Sequence, residues 1–150
     1  MNNSTKPTVY APTASIKHLG FPFIAERPER ITELDFMCDE LGLKLDPAGP
    51  ATDAQLNLAH DTSYIDFIKK VSGRGPLRSA LAYLFDPRIQ YYNRISSNTF
   101  LAATYAAGAV CNAVDNTVAG VHQRSFCIVR PPGHHAGTNR GEGFCIFNNV

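Results

Sequence analysis

The run Ser125 to Val129, "SFCIV", limits what this chain can fold into more than any other stretch. It is too short for a helix, apolar without alternation, and bounded by a basic segment and by Pro131 and Pro132. Such a run is a strand buried on both faces, which places it in a parallel sheet covered by helices. The rest of the chain supplies the helices. "RPERITELDFMCDELGL" puts Ile31, Leu34, Met37, Cys38 and Leu41 on one face, with Pro28 suited to the first helical position and Gly42 to the end. Thr52 and Gln55 have capping-box spacing ahead of a short helix. "DTSYIDFIKKV" turns Tyr64, Ile65, Ile68 and Val71 inward, and from Ser97 "SNTFLAATYAAGAVCNAV" is a small-residue helix suited to close packing. "TVYAP" near the start is a short first strand. Ser72 to Ser96 is less regular: "GRGP", an apolar patch around Leu81 to Phe85, then a polar loop. This order of strands, helices and loops predicts an α/β layered fold.

The chain's 150 residues, 44% of them hydrophobic, suffice for one domain with a sizeable core. Lys plus Arg number 14 against 13 Asp plus Glu, a net charge of +1 without runs of like charge. That balance gives no electrostatic basis for a nucleic-acid or membrane partner, whereas an oligomer is possible. No apolar stretch approaches the length of a membrane span. The four cysteines, Cys38, Cys111, Cys127 and Cys145, lack Cys-x-x-Cys spacing and sit in apolar contexts. Reduced, mostly buried thiols fit them best. Together with a start, "MNNSTKPTVYAP", that has neither a charged leader nor an apolar core, they predict a cytoplasmic protein.

The loop after the apolar run holds two adjacent histidines, His134 and His135, among Pro131, Pro132, Gly133 and Gly137. In layered α/β folds, functional groups gather on loops after the strands' carboxyl ends, so the pair sits where a site is expected. Adjacent side chains point apart on a strand and diverge by about 100° on a helix, which makes one metal ion an awkward target for both rings. Acid–base work suits them better, because imidazole changes charge near neutrality and two rings can divide the roles of base and acid. A hydrogen-bonded turn without catalytic use fits the same pair, and both readings stay open at this point. His18, His60 and His122 read as structural. Cys145 with a histidine and Asn148 or Asn149 would make a thiol nucleophile, but its flanks Phe144 and Ile146 favour a core role. A zinc site of Cys127, His134, His135 and Cys145 matches no common ligand spacing. "GTNRGEG" lacks the Lys-Ser/Thr of a phosphate loop.

"RPPGHHA" at Arg130 to Ala136, followed by "GFCIFNNV" at Gly143 to Val150, resembles the most specific block of the histone deacetylase family. The wording is nearer to its class II and bacterial members, which include acetylpolyamine amidohydrolases. "ERPERI" (Glu26 to Ile31), "AHDTSYIDFI" (Ala59 to Ile68) and "AATYAAGAV" are similar to earlier family segments, so the resemblance runs from about His18 onward. It implies the three-layer, parallel-sheet arginase–deacetylase α/β fold, of which this chain is expected to hold the N-terminal part. It also implies zinc-dependent hydrolysis of an acetylated amine, acetyl-lysine or acetylpolyamine. By carry-over, His135 would be the general base that later protonates the leaving amine, and His134 its electrostatic partner or an auxiliary acid. Phe144 would line the channel for the acyl-amine chain, and the Gly143 carbonyl would touch the substrate amide.

The zinc ligands, an Asp-x-His pair and a later Asp, are expected downstream of Val150. With them are expected the Asp partners of both histidines and a carbonyl-binding Tyr. Residues 1–150 alone are therefore expected to bind no metal, to be inactive, and to leave a sheet edge open. Two departures from the family stand out. Ile24-Ala25 replaces its frequent His-Pro, and Tyr91, Tyr92 or Asn93 stands where many members carry a rim Asp. Asp86 lies several residues early and is not assigned that role. The alternatives are a thiol hydrolase using Cys145 and a non-catalytic remnant module.

Overall fold

A computed structural model describes residues 6–19, 24–73, 86–90 and 93–150. The apolar patch around Leu81 to Phe85 and the rim candidates Tyr91 and Tyr92 lie outside the described residues. Among the described residues three short strands, β1 (Thr8–Tyr10), β2 (Leu45–Asp46) and β3 (Ser125–Cys127), form a parallel sheet in the order β2-β1-β3. Val9 pairs with Leu45 on one side and Phe126 on the other. Four α-helices among the described residues accompany them: α1 (Glu29–Glu40), α2 (Asp53–Leu56), α3 (Thr62–Ser72) and α4 (Thr99–Val118), with a 3-10 turn at Thr13–Lys17.

Alternation along β1 sets the layers. Val9 packs with Ile31 and Cys38 of α1, whereas Tyr10, one residue on, packs with Ala109 and Ala113 of α4. The sheet is thus covered by a helix on each face, as the apolar run predicts. The strand itself is shorter than expected. Ser125–Cys127 forms the ladder, Ile128 N–H donates to the Tyr10 carbonyl at 2.8 Å, and Phe126 is 56% exposed. Among the described residues β3 has a neighbour on one side only, so the outer face of Phe126 lies beyond the cover that α1 gives Val9 and Ile128.

α1 corrects a second expectation. Pro28 sits just before the first helical residue with helical angles, and Gly42 ends the helix at φ +60 as predicted. Ile31 and Cys38 are buried and Leu34 packs against them, but Met37 and Leu41 are exposed. Their positions lie on the flank of the stripe that Ile31, Leu34 and Cys38 define. The Thr52–Gln55 capping box is present, and Tyr64, Ile65, Ile68 and Val71 of α3 are all buried. They form the main core with Leu56, Ala103, Ala107, Ile146 and Phe147. α4 begins at Thr99 rather than Ser97, and its small residues do allow close packing. A Cβ on Gly108 would fall 2.1 Å from the Gly49 carbonyl oxygen, and Ala51 N–H donates to the Thr104 carbonyl at 2.8 Å. Among the described residues no helix is long and apolar enough to cross a membrane.

Candidate active site

Because β1 and β3 run parallel, the loops leaving their carboxyl ends meet. Arg130, three residues past β3, is 2% exposed and forms a two-pronged ion pair with Glu26 through Nε and Nη2. Its Nη1 donates to the carbonyls of Ser15 (3.0 Å) and His18 (2.7 Å), on the turn that follows β1. A fork of planar donors is suited to this convergence of carboxylate and carbonyl oxygens. The base of the histidine loop is therefore fixed to the first strand's loop by a buried charge pair. The Arg130–Pro131 peptide is cis.

Beyond Pro131 and Pro132 the loop folds back along residues 143–149. Gly133 is needed for that approach: a Cβ there would fall 2.6 Å from the Asn149 backbone nitrogen. Gly137, expected to serve similarly, has neither a positive φ nor a close neighbour. His134 and His135 stand exposed at the tip, with ring centroids 4.2 Å apart and planes at 52°. Among the described residues no side-chain nitrogen of either ring has a hydrogen-bond partner. Opposite them, Gly143 and Phe144 adopt φ +51 and +70 in succession. Gly143 packs so closely on the His135 ring that a Cβ would lie 2.7 Å from Cδ2. The structure thus brings His134, His135 and Gly143 together, with Phe144 next along the chain.

Gln90, not singled out in the sequence, and Asn93, named there only as a rim candidate, hold the Gly143–Phe144 turn. Gln90 Oε1 accepts from Gly143 N–H at 3.0 Å, and the Asn93 side chain bonds to both Phe144 and Cys145. No local pattern marks them, because their partners lie some fifty positions away. Asn93, one of the three rim candidates, is 2% exposed and turned inward, so it does not occupy the rim.

Cys145 is buried. Its thiol donates to the Gly143 carbonyl at 3.5 Å, and it accepts from the backbone N–H of His135 at 3.4 Å. Burial pushes the thiol up, which disfavours the thiolate a nucleophile needs. Cys127 lies on the α4 side of the sheet. Among the described residues no three His, Cys, Asp or Glu side chains converge to hold a metal ion. Cys127, His134, His135 and Cys145 are not brought together as one such group.

The other histidines are structural, as expected. His60 donates through Nδ1 to the Thr138 carbonyl (3.2 Å) and accepts at Nε2 from Asn148 N–H (2.7 Å), tying the start of α3 to both limbs of the loop. His18 is buried with Nδ1 3.0 Å from Thr99 Oγ1, and His122 rests edge-on to Tyr10.

Comparison with known proteins fits this geometry. The family model described as a histone deacetylase domain matches residues 24–150. Human polyamine deacetylase HDAC10 is 36% identical over 131 residues, covering 83% of this chain and 19% of that protein. Its Danio rerio counterpart is 32% identical over 129 residues, covering 83% and 18%. Histone deacetylase 18 of Arabidopsis thaliana is 37% identical over 102 residues, covering 67% and 14%. The chain thus spans under a fifth of the length of these relatives. The crystal structure of the HDA15 HD domain superposes with a TM-score of 0.79 at 23% identity, over 97% of this chain and 41% of that one. That likeness gives the fold: the α/β layers are part of the arginase–deacetylase architecture. On the family match across residues 24–150 and the identity to HDAC10, this chain belongs to the histone deacetylase family.

Proposed function

We propose that residues 1–150 are the N-terminal part of a catalytic domain that hydrolyses the acetyl amide of an acetylated amine. The observation that carries this reading is the exposed His134–His135 pair, seated on a charge-anchored loop with Gly143 packed on the His135 ring. His135 takes the proton of the attacking water on a ring nitrogen and returns it to the departing amine. His134, with its ring centroid 4.2 Å from that of His135, is the electrostatic partner or auxiliary acid. Phe144 lines the channel for the acyl-amine chain and the Gly143 carbonyl accepts from the substrate amide N–H.

Acetylpolyamine and acetyl-lysine are the substrates we assign, the first in keeping with the relatives named polyamine deacetylases. Zinc is the cofactor the family implies. The described residues do not by themselves provide its donor set, and its ligands belong in this proposal to sequence downstream of Val150. A cytoplasmic location, compatible with four free cysteines, belongs to the same proposal.

The test is hydrolysis of an acetyl-lysine peptide and an N-acetylated polyamine by the full-length protein carrying this segment. His135→Ala is expected to lower kcat by about 10²–10⁴, and a chelator to abolish turnover. Full turnover after both histidines are replaced by alanine would overturn the proposal. Chelator-insensitive activity lost on alkylation would instead favour the Cys145 thiol reading.

A further inference from the structure

We propose that Asn93 is a positioning residue for the substrate channel: it grips both sides of Phe144 and so holds the turn that presents Phe144 and the Gly143 carbonyl next to His135. This inference rests on the function proposed above. Phe144 carries a side chain at φ +70, a conformation that persists in a non-glycine residue only where the surroundings impose it. Asn93 is the buried group that imposes it. Its Oδ1 accepts from Phe144 N–H at 2.6 Å and its Nδ2 donates to the Cys145 carbonyl at 2.6 Å. A side-chain amide does both at once, accepting at its oxygen and donating from its nitrogen. The N–H requires an acceptor and the carbonyl a donor, which also fixes which way the amide faces.

The surroundings are shaped around this grip. Arg88, Gln90 and Asn93 lie beside residues 141–145: Gly141 N–H donates to the Arg88 carbonyl at 2.9 Å, and Gln90 N–H to the Gly141 carbonyl at 3.3 Å. A Cβ on Gly141 would fall 2.8 Å from Asn93 Nδ2 and 2.8 Å from the Cys145 oxygen, so glycine there leaves the room the amide needs. Gln90 completes the turn by accepting from Gly143 N–H. Where many family members carry a rim Asp, this segment supports the channel wall from behind.

The experiment compares Asn93→Leu, similar in size but without hydrogen bonds, with Asn93→Asp, which keeps the acceptor for Phe144 and loses the donor to Cys145. Both are made in the full-length protein. Readouts are kcat and KM on acetylated amines, amide hydrogen exchange at Phe144, and the thermal midpoint. Asn93→Leu is expected to raise KM about tenfold with kcat nearly unchanged. It is also expected to speed exchange at Phe144 by roughly five- to tenfold. Asn93→Asp is expected to keep the Phe144 amide protected and to give a smaller rise in KM.

A folded Asn93→Leu protein with unchanged KM and exchange overturns the proposal, as does a fall in kcat and thermal midpoint at constant KM. If Asn93→Leu does not fold, Asn93→Asp and Gln90→Ala decide. Raised KM in both supports the proposal, and unchanged KM in both overturns it. Retained turnover in His135→Ala would sink the function proposed above. Lost turnover there with no effect at Asn93 would sink this inference alone.

Discussion

Four of the chain's five histidines divide into two kinds. His18 and His60 are buried, hydrogen-bonded through their rings, and held neutral, His18 at about 3 by burial and by the charges of Arg130 and Arg94. His134 and His135 are exposed, their rings against each other and His135 against Gly143. The first kind fastens elements distant in sequence. The second is carried by those fastenings without contributing to them. A residue type therefore says little here, and the neighbours of each ring say nearly everything.

That contrast can be broken or sharpened, beginning with the largest effect. Arg130→Met leaves the Glu26 carboxylate buried without its partner and should cost about 3–5 kcal/mol in chemical denaturation. A cost near zero would mean that the loop base is not fixed as described. Next comes acid lability. His18 is neutral in the folded protein down to about 3, while in the unfolded chain it takes up a proton near 6.5. Its contribution is thus fully present above about 6.5 and is lost as pH falls toward 3. Burial shifts His60 in the same direction. His18→Gln should flatten the pH dependence of the denaturation midpoint across that window.

Smaller is Tyr64→Phe, which removes the 2.8 Å bond from the Tyr64 hydroxyl to the Ile146 carbonyl and should cost about 1–3 kcal/mol. Smallest is replacement of His134 or His135 by alanine, expected to change stability by no more than about 0.5 kcal/mol. A loss as large as that at Tyr64 would erase the distinction between the two kinds of histidine.

Much of this was legible in the sequence where the physics is local. The Thr52–Gln55 capping box, the inward face of α3 and the Gly42 stop each depend on residues within a few positions, and each is present. The His134–His135 loop could be located because it follows an apolar strand. What depended on distant neighbours was not legible. Met37 and Leu41 look like core on a helical wheel, and only the position of α1 against β1 leaves them outside. Phe126 looked buried because its strand is apolar, yet burial needs a covering element at that point of the sheet. Arg130–Glu26 and Asn93–Phe144 join segments that no sequence window contains, although a lone arginine between Val129 and Pro131 hints at a buried partner.

The register of β1 bears on how the polypeptide is made. Val9 leaves the ribosome early, but its second partner, Phe126, is translated only near the end of these residues. Throughout that interval one edge of the nascent strand has nothing to zip onto. Pairing between such distant segments is slow, and an unpaired edge invites other chains. Chaperone occupancy on stalled nascent chains should accordingly persist until β3 has emerged and drop once it has.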